Sequence, residues 1–163
     1  MIVDFENLNT RDVTSIRGMF SGCFSIVSLD ILQLNPTNVR NVSRMFSRCF
    51  HLKSVKLPKF DTSAIIDMSY MFNNCESLME LDLSDFNPSN VELLICMFHC
   101  CYKLYSLDIS GLRIHEDTNT SYMFMDCNNL GAVHLPNDDK CRELYIKYTD
   151  LGLLSIYPFG KIK

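Results

Sequence analysis

Eight cysteines and four histidines in 163 residues are the side chains best able to do chemistry here, as nucleophiles, redox couples or metal ligands. Their spacing decides among these uses. Cys23, Cys49, Cys75, Cys101 and Cys127 recur every 26 residues, each closing a Met-Phe-x-x-Cys run. Thiols strung along an axis, one per rung, do not converge on one ion, so this column reads as buried structural thiols behaving as small hydrophobes. Neighbouring rungs come within reach of a disulfide, although a core this regular does not need one. Cys96, Cys100 and Cys141 fall off the column, and Cys96-Met97-Phe98-His99-Cys100-Cys101 is the one local run that resembles a ligand set. On the short helix expected there, Met97 and Cys101 face the core and Cys96, His99 and Cys100 point elsewhere as exposed thiols and imidazole, so neither a metal site nor a cofactor is expected.

Catalysis has no better footing. His51, His99, His115 and His134 occupy different phases of the repeat, the six glycines form no phosphate-cradling loop, and no nucleophile elbow is present. The expectation is a non-enzyme with no catalytic residues.

The elements that must carry these side chains follow from the same period. Ile26, Leu52, Leu78, Leu104 and Leu130 come three residues after each column cysteine. Then Leu29/Ile31, Val55/Leu57, Leu81/Leu83, Leu107/Ile109 and Val133/Leu135 alternate apolar with polar, the pattern of a short strand with one buried face. Asn, Asp, Pro and Ser follow, as in Asn35-Pro36-Thr37-Asn38 and Asn87-Pro88-Ser89-Asn90, and supply turns and caps. Val39, Val42, Met45 and Phe46, with Ile65, Met68, Met71 and Phe72 in the next copy, step by threes and fours, which predicts a short helix. The fold class expected is an α/β solenoid of leucine-rich-repeat type, with one short parallel strand and one short helix per 26-residue coil. Residues 1–12 read as a partial N-terminal repeat containing Val3, Phe5 and Leu8, 13–136 as five full units, and 137–163 as a degenerate C-terminal cap. Stacking would set the strands about 4.8 Å apart in one parallel sheet.

Residues between the buried strand positions point out of that sheet: Asp4, Asp30, Lys56, Asp82, Asp108 and His134, flanked by Ser28, Ser54, Glu80 and Ser106, with Lys53 and Tyr105 alongside. This is an acidic strip suited to a basic partner. The candidate partner-binding residues are Asp30, Lys56, Glu80, Asp82, Tyr105, Asp108 and His134, and the departures Lys56 and His134 carry the most individual information. The sequons Asn41-Val42-Ser43 and Asn119-Thr120-Ser121 fall in the expected helices and read as chance.

The net charge of −4 excludes a general electrostatic grip on nucleic acid or anionic lipid, and no apolar run is long enough for membrane insertion. Met1-Ile2-Val3-Asp4-Phe5-Glu6 lacks the basic and apolar regions of a signal peptide.

The run from Met71 to Val91, beginning Met71-Phe72-Asn73-Asn74-Cys75 and continuing through Leu81-Asp82-Leu83-Ser84, resembles the BspA-like leucine-rich repeat. It is similar in particular to the Mycoplasma lipoprotein class, DUF285, whose pattern runs MFxxCxSLxxLDLSxFxTSNVxxM. The resemblance spans Val3 to Leu135 and implies a microbial surface or adhesion protein that binds a protein or glycan. It also offers a second reading of the acidic strip, since Asp belongs to the repeat's LDLS pattern as a scaffold feature. Alternatives to the surface role are an intracellular protein-interaction scaffold, consistent with reduced cysteines and the N-terminal residues, and an architectural spacer from a longer protein. A chain that begins inside a strand also leaves an edge open to end-to-end self-association.

Overall fold

The computed structural model describes residues 9–136 apart from 35 and 60, together with Glu143. Val3, Asp4, Phe5, Leu8, Cys141 and, Glu143 aside, the cap expected at 137–163 lie outside the described residues.

The apolar–polar alternation produces a three-residue strand in each coil: β1 Ser28–Asp30, β2 Ser54–Lys56, β3 Glu80–Asp82, β4 Ser106–Asp108 and β5 Ala132–His134. Every pairing is parallel and joins residues one repeat apart, as in Ser28 with Ser54 and Asp82 with Asp108. Leu29, Leu81 and Leu107 at the strand centres are buried, as are Ile31, Leu83 and Ile109 two residues on, whereas Val55, Leu57, Val133 and Leu135 are partly buried. The strands do not make the one continuous sheet that stacking suggests. They form two, β1-β2 and β3-β4-β5. The N–H of Ile31 donates to Lys56 O at 3.2 Å and that of Leu83 to Asp108 O at 2.7 Å, but among the described residues no backbone hydrogen bond joins β2 to β3.

The opposite wall has no such gap. Parallel bridges link Ser15 to Asn41, then Asp67, Leu93 and Asn119. The N–H groups of Phe20, Phe46, Phe72 and Phe98 donate to Met45, Met71, Met97 and Met123 one coil on, each at 2.9 Å. This wall replaces the expected helix, which is not formed. Its apolar positions are buried as the spacing requires, with Val39, Val42 and Phe46 at 0% exposure and Met45 at 2%. The backbone, however, turns left-handed twice in every coil. Gly18, Arg44, Tyr70, Cys96 and Tyr122 precede each Met-Phe with φ of 52–64°, and Gly22, Arg48, Asn74, Cys100 and Asp126 precede each column cysteine with φ of 58–73°. A left-handed residue at every fourth position breaks the i→i−4 ladder that defines an α-helix. What remains are successive tight turns, such as Met45 N–H to Val42 O at 3.3 Å and Cys49 N–H to Phe46 O at 3.2 Å. Turns that repeat every three or four residues bury the same positions as a helix, which is why the apolar spacing could not separate them. Among the described residues no helix is long and apolar enough to cross a membrane.

Between the walls lies a column of rings. Phe20, Phe46, Phe72, Phe98 and Phe124 stack at centroid spacings of 5.7, 5.2, 5.9 and 5.7 Å, with interplanar angles of no more than 17°. These are offset parallel contacts, which add about 0.5–1.5 kcal/mol per pair to the burial of the rings.

Two substitutions test this description in opposite directions. Phe72→Ala empties the middle of the column and should lower the unfolding free energy by about 3–5 kcal/mol in denaturant titration. Arg48→Gly removes an exposed side chain from a left-handed position and should raise it by roughly 0.5–1 kcal/mol, the left-handed cost less the extra chain entropy of glycine.

Candidate functional site

Three groups of side chains stand out, and the same 26-residue register positions each. The first is the outer face of the strands. Asp30, Asp82 and Asp108 cap the turn that leaves their own strand, each Oδ1 accepting the N–H two residues on: Leu32 at 3.2 Å, Ser84 at 2.8 Å and Ser110 at 2.9 Å. These bonds favour the carboxylate. Asp30 is held below its ordinary pKa by the Leu32 N–H and then by Lys56, and Asp82 by the hydroxyl and N–H of Ser84. Lys56 and His134 cannot cap in this way. Each instead meets the second oxygen of the aspartate one coil earlier: Lys56 Nζ lies 3.1 Å from Asp30 Oδ2, and His134 Nδ1 lies 3.1 Å from Asp108 Oδ2.

The seven expected strip residues are therefore divided. Glu80, Asp82, Asp108 and His134 line one open depression with Ser54 and Ser106, which spans the outer face from β2 to β5. The Tyr105 hydroxyl donates to Glu80 Oε1 at its side. Asp30 and Lys56 form their ion pair on the other sheet, away from the depression's floor.

The second group is the cysteine column. Cys49, Cys75, Cys101 and Cys127 are buried, and their thiols donate to the carbonyls of Phe20, Phe46, Phe72 and Phe98 in the preceding coil at 3.0–3.2 Å. Only a small, largely apolar side chain with a weak donor satisfies that position. Burial pushes the Cys49 thiol up to about 11 and raises Cys75 and Cys101 well above the ordinary thiol value. No disulfide occurs among the described residues.

The third group was expected to disperse and does not. Because the segment is a left-handed turn and not a helix, His99 and Cys100 face the same point. His99 Nε2 lies 3.5 Å from Cys100 Sγ and 3.4 Å from Asp126 Oδ2, and Cys100 Sγ lies 3.7 Å from the same carboxylate oxygen. Cys100 is buried, not an exposed thiol. Burial raises its pKa, the Tyr102 hydroxyl lowers it, and Asp126 raises it again. The hydrogen bond to Cys100 in turn pushes Tyr102 up to about 12. Cys96 stays outside this group, with its thiol beside Tyr70.

Asp126 escaped the sequence reading, although the register announces it: it stands 26 residues after Cys100. The turn residues of the opposite wall escaped too. Asn41, Asp67 and Asn119 accept the N–H of Ser43, Ser69 and Ser121 at 2.8–3.0 Å, so both sequon asparagines are turn caps.

Taken together, the described residues define a protein of stacked 26-residue coils, each resting on the next through parallel backbone pairing. The chain belongs to the family described as Mycoplasma protein of unknown function, DUF285, which matches residues 2–56 and 14–135, in keeping with a BspA-like repeat protein. No curated protein and no solved structure matches it.

The raised column thiols set a pH dependence. In the folded chain they hold their protons to higher pH than in the unfolded chain, so their contribution to stability is complete below the ordinary thiol value of 9.0 and is lost as pH climbs toward about 11. Denaturant midpoints should fall over that window. At pH 8, thiol reagents should modify Cys49, Cys75 and Cys101 rapidly only after unfolding, and rapid native reaction would contradict their burial.

Proposed function

We propose that the chain is a short leucine-rich-repeat solenoid without catalytic function, which binds a basic protein segment on the outer face of its strands. The observation that carries this reading is the open depression on the outer face from β2 to β5, where Glu80, Asp82 and Asp108 gather with His134 and where Tyr105 bonds Glu80 alongside. Lys56 compensates one aspartate of the face, Asp30, while the His134 imidazole hydrogen-bonds Asp108. The acidic surplus therefore lies with Glu80, Asp82 and Asp108 in the depression. A local field of one sign raises encounter rates with an oppositely charged partner and fixes its register. Tyr105, 46% exposed, adds the aromatic surface that anchors such contacts.

Charge and turn capping reside in the same aspartates, so charge reversal would damage the fold as well as the surface. Asparagine keeps the Oδ1 acceptor and removes only the charge. The test is selection of lysine- and arginine-containing peptides from a displayed library on the wild-type chain, followed by kinetics with a triple variant carrying Glu80→Gln, Asp82→Asn and Asp108→Asn. Association should slow by roughly tenfold or more in the variant, and wild-type binding should weaken with added salt. Equal association by the two chains would refute the acidic face as the binding surface.

A further inference from the structure

We propose that His99, Cys100 and Asp126 form a binding site for one divalent transition-metal ion of the zinc class. The geometry is the argument. A tetrahedral zinc with bonds of about 2.3 Å to sulfur and about 2.05 Å to nitrogen and oxygen separates sulfur from nitrogen or oxygen by roughly 3.6 Å, and nitrogen from oxygen by roughly 3.4 Å. Here Sγ to Nε2 is 3.5 Å, Sγ to Oδ2 is 3.7 Å and Nε2 to Oδ2 is 3.4 Å. Three donor atoms from two coils thus lie at the spacings of such a site, and because Sγ sits beside the ring, 3.7 Å from Nδ1 as well, a rotation of the Cys100 side chain brings it into the imidazole plane when the ion binds.

The alternative use of a Cys, a His and an Asp is a nucleophilic relay, and the arrangement is wrong for it. In a relay the carboxylate holds one ring nitrogen while the thiol uses the other. Here the groups are not shared out in that way: Nε2 meets the carboxylate at 3.4 Å, and the thiol lies beside the ring, 3.5 Å from Nε2 and 3.7 Å from Nδ1. His99 Nδ1 is meanwhile engaged by the amide of Asn73 at 3.0 Å, and Asn74 Nδ2 donates to Asn73 Oδ1 at 2.7 Å. Asn73 is buried, so this amide is the outer-shell partner that fixes the ring and leaves Nε2 for the ion. With Nε2 on the metal, Nδ1 carries the proton and Asn73 turns its oxygen to it; Asn74 then accepts from Asn73, and only the long 3.5 Å bond from Asn73 Nδ2 to His99 O is given up.

The donor set selects the ion. A thiolate and an imidazole disfavour calcium and magnesium, which take oxygen ligands, and one carboxylate beside them suits a borderline-soft divalent ion. On binding, the Cys100 thiol proton leaves to solvent and sulfur coordinates as thiolate. Three protein donors leave the fourth position to water on the solvent side, where the Asp126 side chain is 42% exposed. The site belongs to one pair of coils. At the positions of His99 and Cys100 the other coils carry Ser21-Gly22, Ser47-Arg48, Asn73-Asn74 and Met125-Asp126.

The test titrates the reduced full-length chain with Co²⁺, then displaces it with Zn²⁺. The expected result is one ion per chain, with a thiolate-to-cobalt charge-transfer band and the visible bands of tetrahedral cobalt. Asp126→Asn, which suits a left-handed backbone, and His99→Gln should each weaken Co²⁺ binding at least tenfold. Cys100→Ser should abolish the charge-transfer band, Asn73→Ala should weaken binding about 10–100-fold, and Cys96→Ser should change nothing. Absence of the band in the wild-type chain overturns the proposal, as does a band that survives Cys100→Ser, or wild-type affinity in both the Asp126 and His99 variants. Because Asp126→Asn is an exposed, isosteric change, the outcome does not depend on whether the cysteine variant folds.

Discussion

Everything in this structure depends on backbone pairing between residues 26 apart. A three-residue strand has almost no stability alone, and a string of tight turns has less. Each coil therefore exists only because its N–H and C=O groups find those of the next, and its apolar side chains find a copy of themselves one rung away. The phenylalanine column, the thiols under the phenylalanine carbonyls and the Asx caps are three expressions of that one translation. Side chains that differ between coils are brought into contact by the same rule, as Lys56 is with Asp30 and Asp126 with Cys100.

The left-handed residues explain how so compact a coil closes. They reverse the chain twice within the Met-Phe segment and let alternate N–H groups leave the coil for its neighbour while the intervening ones close turns. Two of these positions are glycine in the first copy, and later copies carry arginine, tyrosine, cysteine, asparagine and aspartate. Pairing on both sides compensates the local strain at the non-glycine positions. At Cys100 this conformation also has a chemical effect, because it brings adjacent side chains to one point, which neither a strand nor a helix does.

Much of this was legible in the residues. The period, the parallel strands, the buried Leu29/Ile31 positions and the cysteine column all follow from an ungapped repeat. The helix was misread because apolar steps of three and four are shared by helices and by serial turns. The discriminating signal was Gly18 and Gly22, four apart in the first copy, with Asn74 in a later one. His99 and Cys100 were placed on separate faces by helical phase, and that placement fell with the helix. The division into two sheets had no sequence signal that we can identify. The family match fixes the class of repeat, and the individual character of this chain lies in the few positions where a coil departs from its neighbours.

The interruption between β2 and β3 has a mechanical meaning. Among the described residues, a wall bonded along its length faces a wall whose pairing is interrupted at one rung, and such a strip has its compliant joint there. Bending there changes the distance between Ser54 and Glu80, while the continuously paired wall keeps its length. The two halves of the molecule thus share a spine and can differ in tilt, so the curvature of the outer face is set at one place along its length.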